Sequence, residues 1–204
     1  MKEIVLNGKD LTLESLIRIT RNGAQVCASL EAMEDVKKSR ALVEELVAGG
    51  RPMYGINTGF GRFSEVAIPE EDINLLQIKL ILADAAGVGA PLPTDVVRGM
   101  LVMRANSLLN GFSGVRPVVI NTILDMLNRG VHPVVPEKGS VGSSGDLCPL
   151  AHMVLPMIGL GEAEYNGVVM EGAEAMAKAK IPLIELKAKE GLALINGTQC
   201  MTSV

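Results

Sequence analysis

Aromatic side chains are scarce in this chain. There is no tryptophan, and two tyrosines and three phenylalanines make up 2% of 204 residues, so aliphatic residues must fill the core. The eleven methionines read as adaptable filler, Met100, Met103, Met153 and Met157 among them. Cysteine is as sparse: Cys27, Cys148 and Cys200 are odd in number, widely spaced and without CxxC pairing, which argues against a disulfide framework or a zinc site. The only two histidines, His132 before Pro133 and His152 in an apolar run, offer no metal pair. Each reads as a structural histidine satisfied by a hydrogen bond, and neither a metal nor an external cofactor is expected.

Long apolar runs are missing too. Nothing approaches the ~18 apolar residues of a membrane span, and the stretch after Met1 is too short for a signal peptide. Net charge is only -4, with basic residues scattered, so neither nucleic acid nor membrane is indicated as a partner. A cytoplasmic address follows by default. Length allows one or two domains, and a chain that is 48% hydrophobic can bury a sizeable core. No repeat, low-complexity tract or charge run marks a boundary, so residues 1–204 are treated as one unit.

What is present is mostly helical periodicity. Ser29 to Val47 places Leu30, Met33, Val36, Leu42, Val43 and Leu46 near one face before Gly49-Gly50. Glu71 to Ala86 repeats apolar residues at Ile73, Leu76, Leu80 and Ala83. Thr94-Asp95 is positioned to cap a third helix to Leu109, and Pro117 to open a fourth that stops at Gly130. Strand signals are fewer: Ile4-Val-Leu6, and a hairpin at Asn166-Gly167 between Ala163–Tyr165 and Val168–Met170. The expected fold is mainly α, a helical domain with short β hairpins near the N-terminus and after the loop described next.

That loop is Gly139-Ser-Val-Gly-Ser-Ser-Gly-Asp-Leu147. Glycine-serine stretches are usually flexible linkers, but this one feeds the apolar run Leu147–Leu155 and so leads into a buried element. A phosphate loop fails on spacing, because no Gly-Lys-Ser/Thr follows the glycines. In a sharp bend the Gly145 nitrogen, with no Cβ beside it, can close on the Ser143 carbonyl, and Ser144 can lose water. The product is a 4-methylidene-imidazol-5-one (MIO), an electrophile to which an amine can add, giving a chain without bound cofactor a route to hard chemistry.

Gly139 to His152 resembles the signature of the MIO-dependent aromatic amino acid ammonia-lyases, with the histidine ammonia-lyases the most similar branch; Ser143 stands where alanine is usual. Tyr54-Gly-Ile-Asn-Thr-Gly-Phe-Gly61 resembles the family's catalytic tyrosine loop, and Leu194-Ile-Asn-Gly-Thr-Gln199 the stretch whose asparagine contacts prosthetic group and substrate. The resemblance implies the front part of an ammonia-lyase/aspartase-like helical fold, an N-terminal MIO-bearing domain over 1–204. It implies elimination of ammonia from a small-molecule α-amino acid substrate, histidine first.

Loss of ammonia needs a poor leaving group improved and a weakly acidic Cβ proton removed. Ser144 would supply the electrophilic carbon, and Tyr54 is the candidate base. A phenol does this near neutral pH only where neighbouring donors favour its anion. Asn57 and Thr58 offer turn-stabilising side chains around it. Asn196 is expected to orient ring or substrate, with Gln199 one turn further if the segment is helical. Asp146 is assigned to maturation, its carboxylate holding loop N–H groups as in an Asx turn.

In the frame Leu76-Gln77 to Gly87-Val88-Gly89, histidine ammonia-lyases carry a histidine that meets the substrate imidazole, and this chain has Asp84. A carboxylate favours a side chain that donates hydrogen bonds or carries positive charge, which disfavours phenylalanine and leaves histidine, tyrosine or a cationic amino acid. The resemblance covers less than half of the family pattern. The remainder supplies further contacts and long helices that build a homotetramer, with sites drawn from several subunits. A 2,3-aminomutase on the same prosthetic group, or a non-catalytic truncated fragment with an uncyclised loop, are the alternatives.

Overall fold

The computed structural model describes residues 3–139, 142 and 144–204. β1 (Ile4–Leu6) pairs in parallel with β2 (Val26–Ala28), and α1 (Leu13–Thr20) makes the crossover that a parallel pair requires. α2 (Leu30–Ala48) starts at Ser29, whose hydroxyl accepts from Ala32 N at 3.1 Å, and stops before Gly49 and Gly50. Its buried face differs from the expected one. Ala32, Val36, Arg40 and Val43 are buried, whereas Leu30 is 87% and Leu42 55% exposed. The buried side centres on a cation, Arg40, which donates to the carbonyls of Gly114 and Ala188 at 3.2 and 3.0 Å; composition alone assigns such a residue to solvent.

α3 (Glu70–Asp84) repeats this pattern, burying Ile73, Gln77 and Ile81. After β3 (Val88–Pro91), α4 (Thr94–Leu108) begins behind Pro93, so Thr94 stands inside the helix rather than at its cap, while Asp95 Oδ1 accepts from the first-turn Val96 N at 3.0 Å. α5 (Pro117–Arg129) opens on its proline and ends at left-handed Gly130, φ 72°, as its sequence predicts. There follow β4 (Val131–Pro133), β5 (Pro136–Lys138), α6 (Leu147–Val154), β6 (Glu162–Tyr165), β7 (Val168–Glu171), α7 (Gly172–Lys178), α8 (Glu190–Ile195) and α9 (Gln199–Ser203).

β6 and β7 form the predicted hairpin. Asn166 and Gly167, at φ 52° and 77°, take the positive values that a two-residue turn of this kind needs. β4 joins this pair antiparallel, and β3 pairs antiparallel with β5. These three strands precede the Ser-Gly loop, where none was expected. Three or four residues are too few to display an alternating pattern, and their partners lie far along the chain.

α4 is the central helix, buried nearly all round at Val97, Met100, Leu101, Val102, Ala105 and Leu108. It packs on α1, α5, α6 and α9. Met100, Met153 and Met157 are fully buried, as expected of filler, and Met103 is half-buried. No described helix is long and apolar enough to cross a membrane.

Candidate active site

The Ser-Gly loop links β5 to α6, and its described residues make a tight reversal. Gly142 N donates to Gly145 O at 3.0 Å, and Gly145 N returns a bond to Gly142 O at 3.4 Å. Ser144 is exposed at the bend, and Gly145 has φ 132°, which residues bearing a Cβ rarely adopt. Ser143, the first of the predicted ring-forming residues, lies outside the described residues, as do Ser140 and Val141.

Against this reversal sits the segment after α8. A Cβ on Gly145 would overlap the Gly197 carbonyl, and Asp146 N donates to that carbonyl oxygen at 2.7 Å. Gly197 in turn has no room for a Cβ, which would collide with Arg104 Nη2 and Gln199 Oε1. Two blocks distant in sequence are thus fastened backbone to backbone.

Asp146 is buried. Its Oδ2 accepts from Met201 N at 2.7 Å, and Oδ1 has no hydrogen-bond partner among the described residues. Among the described residues no loop N–H donates to this carboxylate. The amides of Gly145 and Asp146 are engaged by the Gly142 and Gly197 carbonyls, and the carboxylate reaches the first turn of α9 instead.

Asn196 is exposed at the end of α8, and Gln199 begins α9. The two are therefore on different helices rather than successive turns of one. The chain leaves the helix at Asn196, φ -83° and ψ 100°, to bring Gly197 under Gly145. Gln199 Oε1 accepts from Arg104 Nη2 at 2.6 Å, and Arg104 Nη1 donates to Ala193 O at 3.1 Å. Burial lowers the Arg104 pKa to about 10, which leaves it cationic at neutral pH.

Tyr54 is 59% exposed, edge-on to Phe60 with ring centroids 6.1 Å apart. Its loop is pinned as expected by Asn57, which accepts from Met53 N at 2.7 Å and donates to Arg51 O at 3.0 Å. Thr58 Oγ1 donates to Gly59 O at 3.0 Å. Gly55, at φ 75°, abuts Leu192 of α8, so the tyrosine loop leans on the helix that leads to Asn196. Asp84 ends α3 half-buried, and burial raises its pKa. Just beyond it, Gly87 N donates to His152 Nε2 at 3.0 Å, tying the Asp84 turn to α6. No hydrogen bond joins Tyr54 or Asp84 to the Ser-Gly loop or Asn196 among the described residues. α6 and α8 are the common platform, since α3 packs on both and they pack on each other.

The sequence profile described as aromatic amino acid lyase matches residues 11–204. The chain belongs to that family. Histidine ammonia-lyase of Alkaliphilus metalliredigens (strain QYMF) is 56% identical over 204 residues, covering all of this chain and 40% of the relative. Tyrosine aminomutase from Streptomyces globisporus superposes with a TM-score of 0.92 at 35% identity, covering 99% of this chain and 38% of that one. Histidine ammonia-lyase from Trypanosoma cruzi gives 0.91 at 36% identity, covering 99% and 39%. The lyase-family chain thus spans about 40% of the length of the curated relatives it matches.

In this lyase-family chain Tyr54, Ser144 and Asn196 are exposed, Asp84 and Gln199 are half-buried, and Gly145 and Asp146 are buried. A cavity of about 330 Å³ lies elsewhere, lined by Arg40, Glu44, Ile73, Asn74 and Lys187. The residue that sequence reasoning missed is Arg104. Its signal was available: a lone cation in the apolar run Met100–Ala105 of a helix buried nearly all round. His152 and His132 hold hydrogen bonds as read, His132 Nε2 lying 3.1 Å from Arg98 Nη1. Burial lowers both pKa values, with the Arg98 charge adding to the effect at His132.

Proposed function

We propose that this chain carries the ring-forming part of an ammonia-lyase site that eliminates ammonia from an α-amino acid, histidine first, on a prosthetic group made from Ser143, Ser144 and Gly145. The observation that carries the reading is the seat of Gly145. Its φ of 132°, the Gly142–Gly145 closure and the lack of space for a Cβ beside Gly197 fit a backbone bent for condensation. Gly145 N bonds to the Ser143 carbonyl carbon as the carbonyl oxygen departs as water. Ser144 gives up its Cα proton and its hydroxyl as a second water. No oxidant is needed.

The finished ring supplies an electrophilic alkene for the substrate amine. The remaining work falls to side chains. Tyr54, exposed on a pinned loop, takes the Cβ proton. Asn196 orients ring or substrate through its amide, and Gln199, with its oxygen held by Arg104, presents its NH₂ as a donor. Asp146 serves maturation by fixing Met201 N and, through its own N–H, Gly197. Asp84 selects a substrate side chain that donates hydrogen bonds or carries charge. The complete protein is proposed to be a cytoplasmic homotetramer.

Intact mass tests the reading. The folded chain should weigh two waters less than its sequence, with the loss mapped to the Ser143–Gly145 peptide; an unshifted mass in folded protein would overturn it. The second reading is an aminomutase on the same prosthetic group, since a tyrosine aminomutase and a histidine ammonia-lyase share this fold at TM-scores of 0.92 and 0.91. Product analysis separates the two: a lyase releases an α,β-unsaturated acid, whereas a mutase returns a β-amino acid.

A further inference from the structure

Arg104 is a cation 3% exposed, with no carboxylate within ion-pair distance among the described residues and with its Nε buried and unpartnered. Such a charge is costly to bury and is held only by fixed dipoles. Its partners lie on one short segment: Nη1 on the Ala193 carbonyl at 3.1 Å and Nη2 on Gln199 Oε1 at 2.6 Å. Between these two anchors the guanidinium fills the space a Gly197 side chain would take. Gly197 is the residue against which Gly145 is pressed, and its carbonyl receives Asp146 N at 2.7 Å. A continuous path of contacts therefore runs from the guanidinium through Gly197 to Gly145, the residue whose nitrogen is predicted to cyclise.

We propose that Arg104 is a positioning residue for ring formation. Its guanidinium clamps the Ala193–Gln199 turn from the core side, so that Gly197 forms a rigid seat and Gly145 is held in the bend its nitrogen needs. The inference rests on the ring-forming reading above. Near-attack geometry is what such a seat contributes, and a small misplacement of it slows the reaction steeply. A clamp of two charge-assisted hydrogen bonds has no neutral equivalent of the same shape.

Arg98 provides the control. It lies on the same helix, 8% exposed, and donates to the Ile19, Thr20 and Leu127 carbonyls, the ends of α1 and α5, away from the loop. Arg98→Met, Arg104→Met and Arg104→Lys would be produced in the 204-residue chain. Water loss is followed by intact mass, beside urea midpoints from circular dichroism. Arg104→Met is expected to slow water loss about ten-fold or more, the scale of one charge-assisted hydrogen bond, with Arg104→Lys intermediate. Arg98→Met is expected to lower the urea midpoint at least as much and to mature at the parental rate.

Maturation of Arg104→Met at the parental rate, or equal slowing by Arg98→Met, overturns the inference. If Arg104→Met does not fold, Arg104→Lys decides: slowed maturation supports the clamp, and the parental rate removes it. A parental chain that never loses two waters removes the ring-forming reading itself, an outcome distinct from the others.

Discussion

Asp84 is the side chain proposed to set what the site prefers. It ends α3 half-buried, and burial raises its pKa, so the carboxylate gains most from a ligand that donates to it or neutralises it. Asp84→His, introduced into the complete protein, should shift relative kcat/KM towards histidine over tyrosine by roughly ten-fold, the scale of one matched against one unmatched polar contact. Unchanged ratios across candidate amino acids would remove Asp84 from selectivity. The residues proposed for the site were legible in sequence because they lie in short blocks dense in glycine and small polar residues, such as Tyr54–Gly61 and Gly139–Asp146. Arg104 stands out in sequence only as a lone cation in an apolar helical run, and the role proposed for it exists only once Gly197 and Gln199 have been folded onto α4. The sequence marks the Asp146 carboxylate as a local turn former, and among the described residues it accepts from Met201 N on a separate helix.

Elements were legible where they carry their own punctuation. Ser29, Pro117, Gly130 and Asn166-Gly167 all stand where the structure starts, stops or reverses a segment. β3, β4 and β5 carry no such mark, and α8 is too short to show a helical period. What holds α8 in place is a buried carboxylate at its first residue. Glu190 is fully buried and accepts from Arg116 Nε and Nη2 at 2.8 Å each, Arg116 N at 2.9 Å and Lys187 N at 2.8 Å. Arg40 Nη1 stands 3.9 Å away. The pairing with Glu190 raises the Arg116 pKa. Glu190→Gln puts an amide donor among these donors, and breaking a buried pair costs about 3 kcal/mol. Urea titration should show that loss, and a cost below about 1 kcal/mol would mean that packing alone seats the helix.

Across the whole molecule, the two histidines tie distant segments together, and their lowered pKa values predict a response of stability to acid. His152 receives Gly87 N, and His132 stands between Arg98 and Glu164, with Glu164 Oε1 3.7 Å from its Nδ1. Burial lowers both pKa values below the ordinary histidine value of about 6.5. The unfolded chain therefore takes up protons first as pH falls. The stability contributed by the neutral rings is present above about pH 6.5 and is lost as pH drops from there through the folded-state values. Urea midpoints should fall between pH 8 and pH 5.5, and less so in a His132→Gln/His152→Gln double variant; equal slopes in both proteins would assign the acid sensitivity to carboxylates. By itself the sequence determined the mainly helical class, the capped helices, the one hairpin and the three blocks rich in small residues, because each depends on backbone preferences acting over a few neighbours. Only the tertiary structure decided that α6 and α8 gather those blocks and that Gly197 meets Gly145. It also decided that buried Arg40, Arg98 and Arg104 bond to main-chain carbonyls. Such contacts depend on which distant groups are left unpaired when the core closes, and no local pattern encodes that.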